Sequence, residues 1–248
     1  METQTIRIQK FFTDCGILSR RAAEEEIKKG RVKINGATAE VGQKIDPTRD
    51  RVEYRGQVIA AIEKPRFTYV MLNKPRGYLS TVTDDRGRHT VTELVADTGV
   101  RLYPVGRLDM DSEGLLLLTN DGELTNRLTH PKHEIPKIYH VKIRGIVTAE
   151  QVKALSSAMI IDGYRILPVK TELISVKDDT SVLRMTLFEG RNRQIRKMCE
   201  SQSLTVLRLC RIAIGDLKLG NLAPGKWRYL TKTQVDYLKG SVAKKKGN

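Results

Sequence analysis

Cysteine is scarce in this chain. Three stand in 248 residues, at Cys15, Cys199 and Cys210. An odd, widely spaced set with no C-x-x-C pair argues against a disulfide framework and excludes a zinc ribbon. Histidine is equally sparse: His130 and His133, next to Glu134, imitate a metal-ligand pair but lack the companions a site needs. No metal is expected. Long apolar runs are missing too, the tightest cluster being Leu115–Leu118, so no segment has the length of a membrane span. The opening Met1-Glu-Thr-Gln-Thr-Ile lacks the basic-then-apolar pattern of an export signal. The expectation is a soluble, cytoplasmic protein with no membrane association.

Acidic residues are the other deficit. Asp and Glu total 29 against 44 Lys and Arg, a formal charge of +15. Such an excess says little about fold and much about partners. It favours a polyanion, nucleic acid first. An anionic membrane surface fits less well, because no long basic amphipathic helix stands out.

Hydrophobic residues make up 40% of the chain, enough for a small domain followed by a larger one. Ile8, Phe11 and Phe12 have the spacing of a helix face, which Gly16 can end. Ser19 is placed to cap a second helix from Arg20 to Lys29, with Ala22, Ala23 and Ile27 inward and Gly30 as its stop. Arg31 to Gly36 alternates and closes on Asn35-Gly36, a hairpin signal, and another strand is expected from Arg51 to Tyr54. The stretch RIQKFFTDCGILSRRAAEEEIKKGRVKINGATAEVGQKI resembles the S4 RNA-binding domain. The resemblance implies that the helix pair grips structured RNA, with Arg7, Lys10, Ser19, Arg20, Arg21 and Lys33 as candidate contacts, in a domain spanning 1–62.

Residues 55–66 read as a linker with a loose strand, and a second domain is expected over 63–240. Strands are expected at Phe67–Leu72, where Asn73-Lys-Pro-Arg-Gly breaks the ladder at Pro75, and at Gly114–Thr119, Tyr139–Arg144, Leu167–Val176 and Val182–Phe188. Helices are expected at Gly122–Thr129, Ala149–Ser157, Arg191–Ser201 and Thr231–Leu238. Without regular β-α-β alternation, the fold class is α+β with a mixed, largely antiparallel sheet. Residues 241–248 are expected to form a basic disordered tail.

The segment Tyr103-Pro-Val-Gly-Arg-Leu-Asp-Met-Asp-Ser-Glu-Gly-Leu-Leu-Leu-Leu-Thr carries the chemistry. Asp109 lies in a polar loop bracketed by Gly106 and Gly114, just ahead of an apolar strand. Arg107, two residues away, can hold a phosphate or steady a carboxylate. Taken alone, Asp109 reads as a loop cap, Tyr139 as strand core, and Asp111 and Glu113 as solvated loop carboxylates. GRLDMDSEGLLLLTNDGEL, however, resembles the catalytic motif of the pseudouridine synthases in the RsuA/RluB group. LNKPRGYLST and FEGRNRQIRKM resemble the group's opening strand-turn and its late basic motif.

The resemblance implies isomerisation of a uridine in ribosomal RNA, with Asp109 as nucleophile or base and no cofactor. It gives Arg196 as the arginine paired with Asp109, Arg193 as second choice, and Tyr139 as the ring stacked on the target base. The partner expected is structured ribosomal RNA, the large-subunit molecule favoured over the small, met by a monomer. The competing readings are a catalytically inactive S4-type ribosome-assembly protein and a base-removing hydrolase using Asp109 with Asp111 or Glu113.

Overall fold

The computed structural model describes residues 5–60 and 66–241. Contacts divide the chain into two compact units, Met1–Phe67 and Thr68–Asn248. In the first, β1 (Ile6–Arg7) leads into α1 (Ile8–Asp14) and α2 (Arg20–Lys28). There follow β2 (Val32–Ile34), β3 (Ala37–Thr38), β4 (Lys44–Ile45), β5 (Val52–Tyr54) and β6 (Gln57–Ile59). The strands form a four-stranded sheet in the order β3-β2-β5-β6 and a small pair β1-β4. Part of the expected linker is therefore β6, paired with β5 across the Arg55-Gly56 turn. Residues 61–65 of it lie outside the described residues.

Ser19 caps α2, its Oγ accepting from Ala22 N at 3.1 Å. Ile8, Phe11, Phe12, Ala23, Ile27, Val32 and Val52 make the unit's core. Beside that core lies a buried acid, Glu26, which accepts from Arg55 (2.8 Å), Tyr54 (3.0 Å), Arg31 (3.2 Å) and Lys29 (3.3 Å). Chiefly through Arg55, these donors outweigh the burial that opposes them and hold its carboxyl at about 2. A carboxylate depressed on folding adds stability above its free value of 4.5 and loses it as pH falls toward about 2. Melts of the full chain followed at the Ile27 and Val32 methyl NMR signals should weaken across that window. Glu26→Gln should flatten the dependence; an unchanged slope in the variant would assign the acid sensitivity elsewhere.

The second unit begins with β7 (Tyr69–Lys74), β8 (Tyr103–Val105), β9 (Glu113–Thr119), α3 (Gly122–Thr129), β10 (Lys137–Arg144) and α4 (Ala149–Ser156). It continues with the β11 (Ile160–Ile161) and β12 (Tyr164–Arg165) hairpin, β13 (Lys170–Lys177), β14 (Thr180–Leu187) and α5 (Gln194–Glu200). It closes with β15 (Val206–Ile214), β16 (Leu217–Lys218), β17 (Trp227–Tyr229) and α6 (Lys232–Ser241). One nine-stranded sheet runs β13-β14-β10-β15-β9-β7-β17, with β16 on β15 and β8 on β9. Every pairing in it is antiparallel except β9 with β15, so the α+β class with a mixed, largely antiparallel sheet is borne out.

The apolar run in β9 follows from burial on both faces. Leu116 and Leu118, with Val70 and Leu72 of β7, join the core that also takes in Val141, Leu155, Ile195 and Met198. Leu115, Leu117 and Met71 face the other way, against Leu124, Leu128 and Leu238 of α3 and α6.

Several expected boundaries move. β7 continues through Asn73 and Lys74, the latter opposite Gly114, and ends only at Pro75. The strand expected from Leu167 starts at Lys170, and the helix expected from Arg191 starts at Gln194. Ser241, first residue of the expected tail, closes α6; residues 242–248 lie outside the described residues. Among the described residues no helix is long and apolar enough to cross a membrane.

Candidate active site

Asp109 sits on the loop between β8 and β9, and that loop is held from both sides. Ser80 Oγ donates to Leu108 O at 2.8 Å and accepts from Leu108 N at 3.1 Å. Gly77 N donates to Met110 O at 2.8 Å, and Ser112 N closes a turn on Asp109 O at 3.0 Å. The main tie is Lys74, fully buried at the end of β7. Its ammonium donates to Asp109 O (3.0 Å), Ser112 O (2.8 Å) and Pro75 O (3.0 Å). Burial pushes the Lys74 pKa down to about 8, against the pull of Asp109, Asp111 and Glu113. Nothing in the apolar-polar pattern pointed to Lys74; the only signal was a lysine at the end of an apolar strand, directly before Pro75.

The side chain of Asp109 is about one-third exposed, and Arg193 Nη1 stands 3.9 Å from its Oδ2. Arg193 also makes two 3.2 Å bonds to Asp111, while Arg196 reaches Asp111 Oδ2 (3.2 Å) and O (3.0 Å). Of the two expected arginines, Arg193, the second choice, comes within ion-pair range of Asp109, while Arg196, the first, bonds to Asp111 and acts on Asp109 through its charge. The reason is local backbone. Arg193 is the residue before α5 and adopts φ 50°, the left-handed region that an arginine rarely enters, so it turns toward the loop instead of lying on a helix face.

Asp111 is no bystander. Burial draws its carboxyl upward, but the bonds from Arg193 and the charge of Arg196 prevail and leave it below the usual range. Arg193 is raised by the same bonds, and Arg196, half-buried, is lowered by desolvation. Glu113, expected to be solvated, is 8% exposed in β9. Arg208 holds it at 2.7 and 3.0 Å, and Arg76 stands at 3.3 Å. Both acids are thus already held by arginines, whereas Asp109 has only the longer contact to Arg193.

Tyr139 lies in β10 at a register shift between β10 and β15, a bulge of the kind that re-aims a side chain. It is 9% exposed and lines one cleft with Asp109, Ser112, Arg193 and Leu209. Exposed Arg107 lines the same cleft. A carboxyl group left open to substrate, a guanidinium beside it and an aromatic wall suit attack or proton transfer on a flat, polar, anionic substrate.

Residues 68–201 match the family described as RNA pseudouridylate synthase. The ribosomal large subunit pseudouridine synthase B of Bacillus subtilis (strain 168) is 42% identical over 236 residues, covering 94% of this chain and 95% of its own. The chain belongs to the RNA pseudouridylate synthase family.

A further relative in the family, the dual-specificity RNA pseudouridine synthase RluF of Escherichia coli (strain K12), is 36% identical over 93% of this chain and 77% of its own. A crystal structure of a pseudouridylate synthase superposes with a TM-score of 0.66 at 31% identity, covering 94% of this chain and 99% of that one. For an RNA pseudouridylate synthase the tie through Lys74 has a kinetic consequence. Lys74→Met should lower kcat roughly 10- to 100-fold, since a loop displaced by about 1 Å costs that much, with KM little changed. In the unaltered enzyme kcat should fall as pH rises through about 8, where the ammonium gives up a donor that three carbonyls share. Lys74→Met should lack that limb in single-turnover pH profiles; a retained limb would show that another group titrates there.

Proposed function

We propose that this enzyme converts a uridine of large-subunit ribosomal RNA to pseudouridine, with Asp109 as its catalytic carboxylate. The reading is carried by one observation: Asp109 stands partly open in a cleft that Arg193 and Tyr139 also line. In the reaction the N1–C1′ bond breaks, C5 bonds to C1′, the C5 proton is lost and N1 gains one. Nothing is oxidised or reduced, so the chemistry itself calls for no cofactor. Asp109 acts as nucleophile or base at the sugar and then helps remove the C5 proton. Tyr139 stacks on the base, which must leave the RNA stack to enter. Arg193 sets a positive charge beside Asp109, and Arg196 acts through Asp111, holding the loop from the α5 side.

The large-subunit assignment is supported by the name of the Bacillus subtilis relative, and binding to RNA by the charge of +15. We assign the first unit an S4-like RNA-binding role. Arg7, Arg20, Arg21 and Lys33 are exposed there. Lys10 pairs with Asp14, and Ser19 is occupied as a helix cap, so both contribute less to RNA than the other four. The enzyme is taken to act as a cytoplasmic monomer.

Chemical mapping of pseudouridines in ribosomal RNA from cells lacking the protein tests this. One large-subunit position should read as uridine and recover when the gene is restored. A missing position in the small subunit would move the target. Release of free uracil with an abasic site would replace isomerisation by hydrolysis.

A further inference from the structure

A second, larger hollow adjoins the Asp109 cleft, and the two share Arg107, Tyr139, Gly190 and Arg191. It encloses about 380 Å³, against about 90 Å³ beside Asp109. That is within the range of about 300 Å³ upward common to small-ligand sites. One wall is apolar, with Leu117, Leu128 and Ile135, and Phe188 at its edge is 39% exposed. Lys137 and Arg211 supply two positive charges, and Glu134 lines the exposed rim.

Arg211 is 3% exposed. Its Nε donates to Leu115 O at 2.7 Å, whereas its buried Nη2 has no hydrogen-bond partner among the described residues. A buried cation with an unmet donor is costly unless an anion joins it. Lys137, partly buried beside it and donating to Ile135 O at 3.2 Å, has its pKa pushed down by burial and by the charge of Arg211.

We propose that this hollow is a subsite for a second nucleotide of the same RNA, its base against Phe188 and the apolar wall, its phosphate toward Lys137 and Arg211. The proposal rests on the reading that the enzyme acts on RNA. The combination of an accessible aromatic face, an apolar floor and paired cations suits a base with its phosphate better than either alone. Tyr139 lines both hollows, so the target base and the second nucleotide would flank one ring. The subsite would let the enzyme choose a uridine by its neighbour, without touching the reacting atoms.

The test uses the full chain in two arms. In the first, NMR follows titration with adenosine 5′-monophosphate, adenosine and inorganic phosphate. The monophosphate should shift the amide signals of Lys137 and of residues 188–191 and bind at least about tenfold more tightly than adenosine or phosphate. Lys137→Met and Phe188→Ala should each weaken it severalfold. Inorganic phosphate binding as tightly, or shifts confined to Ser112 and Leu209, would overturn the proposal. In the second arm, pseudouridine formation on ribosomal RNA from cells lacking the protein should show KM raised about tenfold in each variant with kcat within about threefold. Variants that lose the monophosphate yet keep KM would make the hollow a site for free nucleotides, and the proposal fails. If the unaltered protein makes no pseudouridine at all, the functional reading falls, while the first arm still judges the hollow.

Discussion

Asp109→Asn should end pseudouridine formation, lowering kcat by roughly a thousandfold or more, while affinity for ribosomal RNA stays within about twofold. The substitution is nearly isosteric, and the loop does not depend on the carboxylate. What anchors position 109 is its backbone carbonyl, bonded to Lys74 and to Ser112 N. Arg193 stays in place through its two bonds to Asp111. Only the negative charge open to substrate is removed. The paired measurement is single-turnover pseudouridine formation beside filter binding of the same RNA. Activity within about tenfold of the unaltered enzyme would rule out Asp109 as the reacting group. A parallel loss of binding would show that the loop had been disturbed.

Gly114→Ala should be the most damaging change of a single methyl group, costing more than about 4 kcal/mol. Gly114 pairs with Arg211 where β15 joins β9 in parallel, at φ 105°. A Cβ there would lie 2.3 Å from Arg211 O, 2.7 Å from Arg211 N and 2.9 Å from Cys210 Sγ. The first two atoms are backbone and cannot turn aside, so the two strands must part. Gly106→Ala is the control. Its φ of 74° carries a strain of about 1 kcal/mol, but the nearest atom to the new Cβ is Thr129 Cγ2 at an ordinary 3.7 Å. Thermal or urea unfolding of both variants should separate them by several kcal/mol. Equal stability would mean that β9 and β15 do not meet as described.

Elements written in one short stretch were readable in advance. The Ser19 cap, the Asn35-Gly36 hairpin and α3 at Gly122–Thr129 each depend on neighbours in sequence. β15 was missed because its run VLRLCRIAI interleaves arginines with apolar residues. Arg211 is buried because strands from elsewhere enclose it, which no local pattern announces. Lys74 escaped for the same reason: Asn-Lys-Pro reads as a break, whereas tertiary packing carries β7 through it and makes the lysine a hub of carbonyl bonds. Asp109 was legible as a motif. Its cationic neighbours were legible as a pair, Arg196 and Arg193, but not which stands nearer, because that turns on one left-handed backbone residue. Glu113 was misjudged by treating the whole acidic stretch as loop, when β9 begins at that residue.

The parallel junction of β9 with β15 also sets the order of assembly. Glu113 meets Cys210 and Gly114 meets Arg211, so nearly a hundred residues must be synthesised between the two halves of the contact. Contacts this distant in sequence form late and slowly. A chain emerging from the ribosome carries Asp109 long before Arg193, Arg196 and the strand that pairs with β9 at Glu113 and Gly114 exist. The growing polypeptide is therefore expected to stay chemically silent until β15 has been made, and premature termination before that strand should yield an inert product.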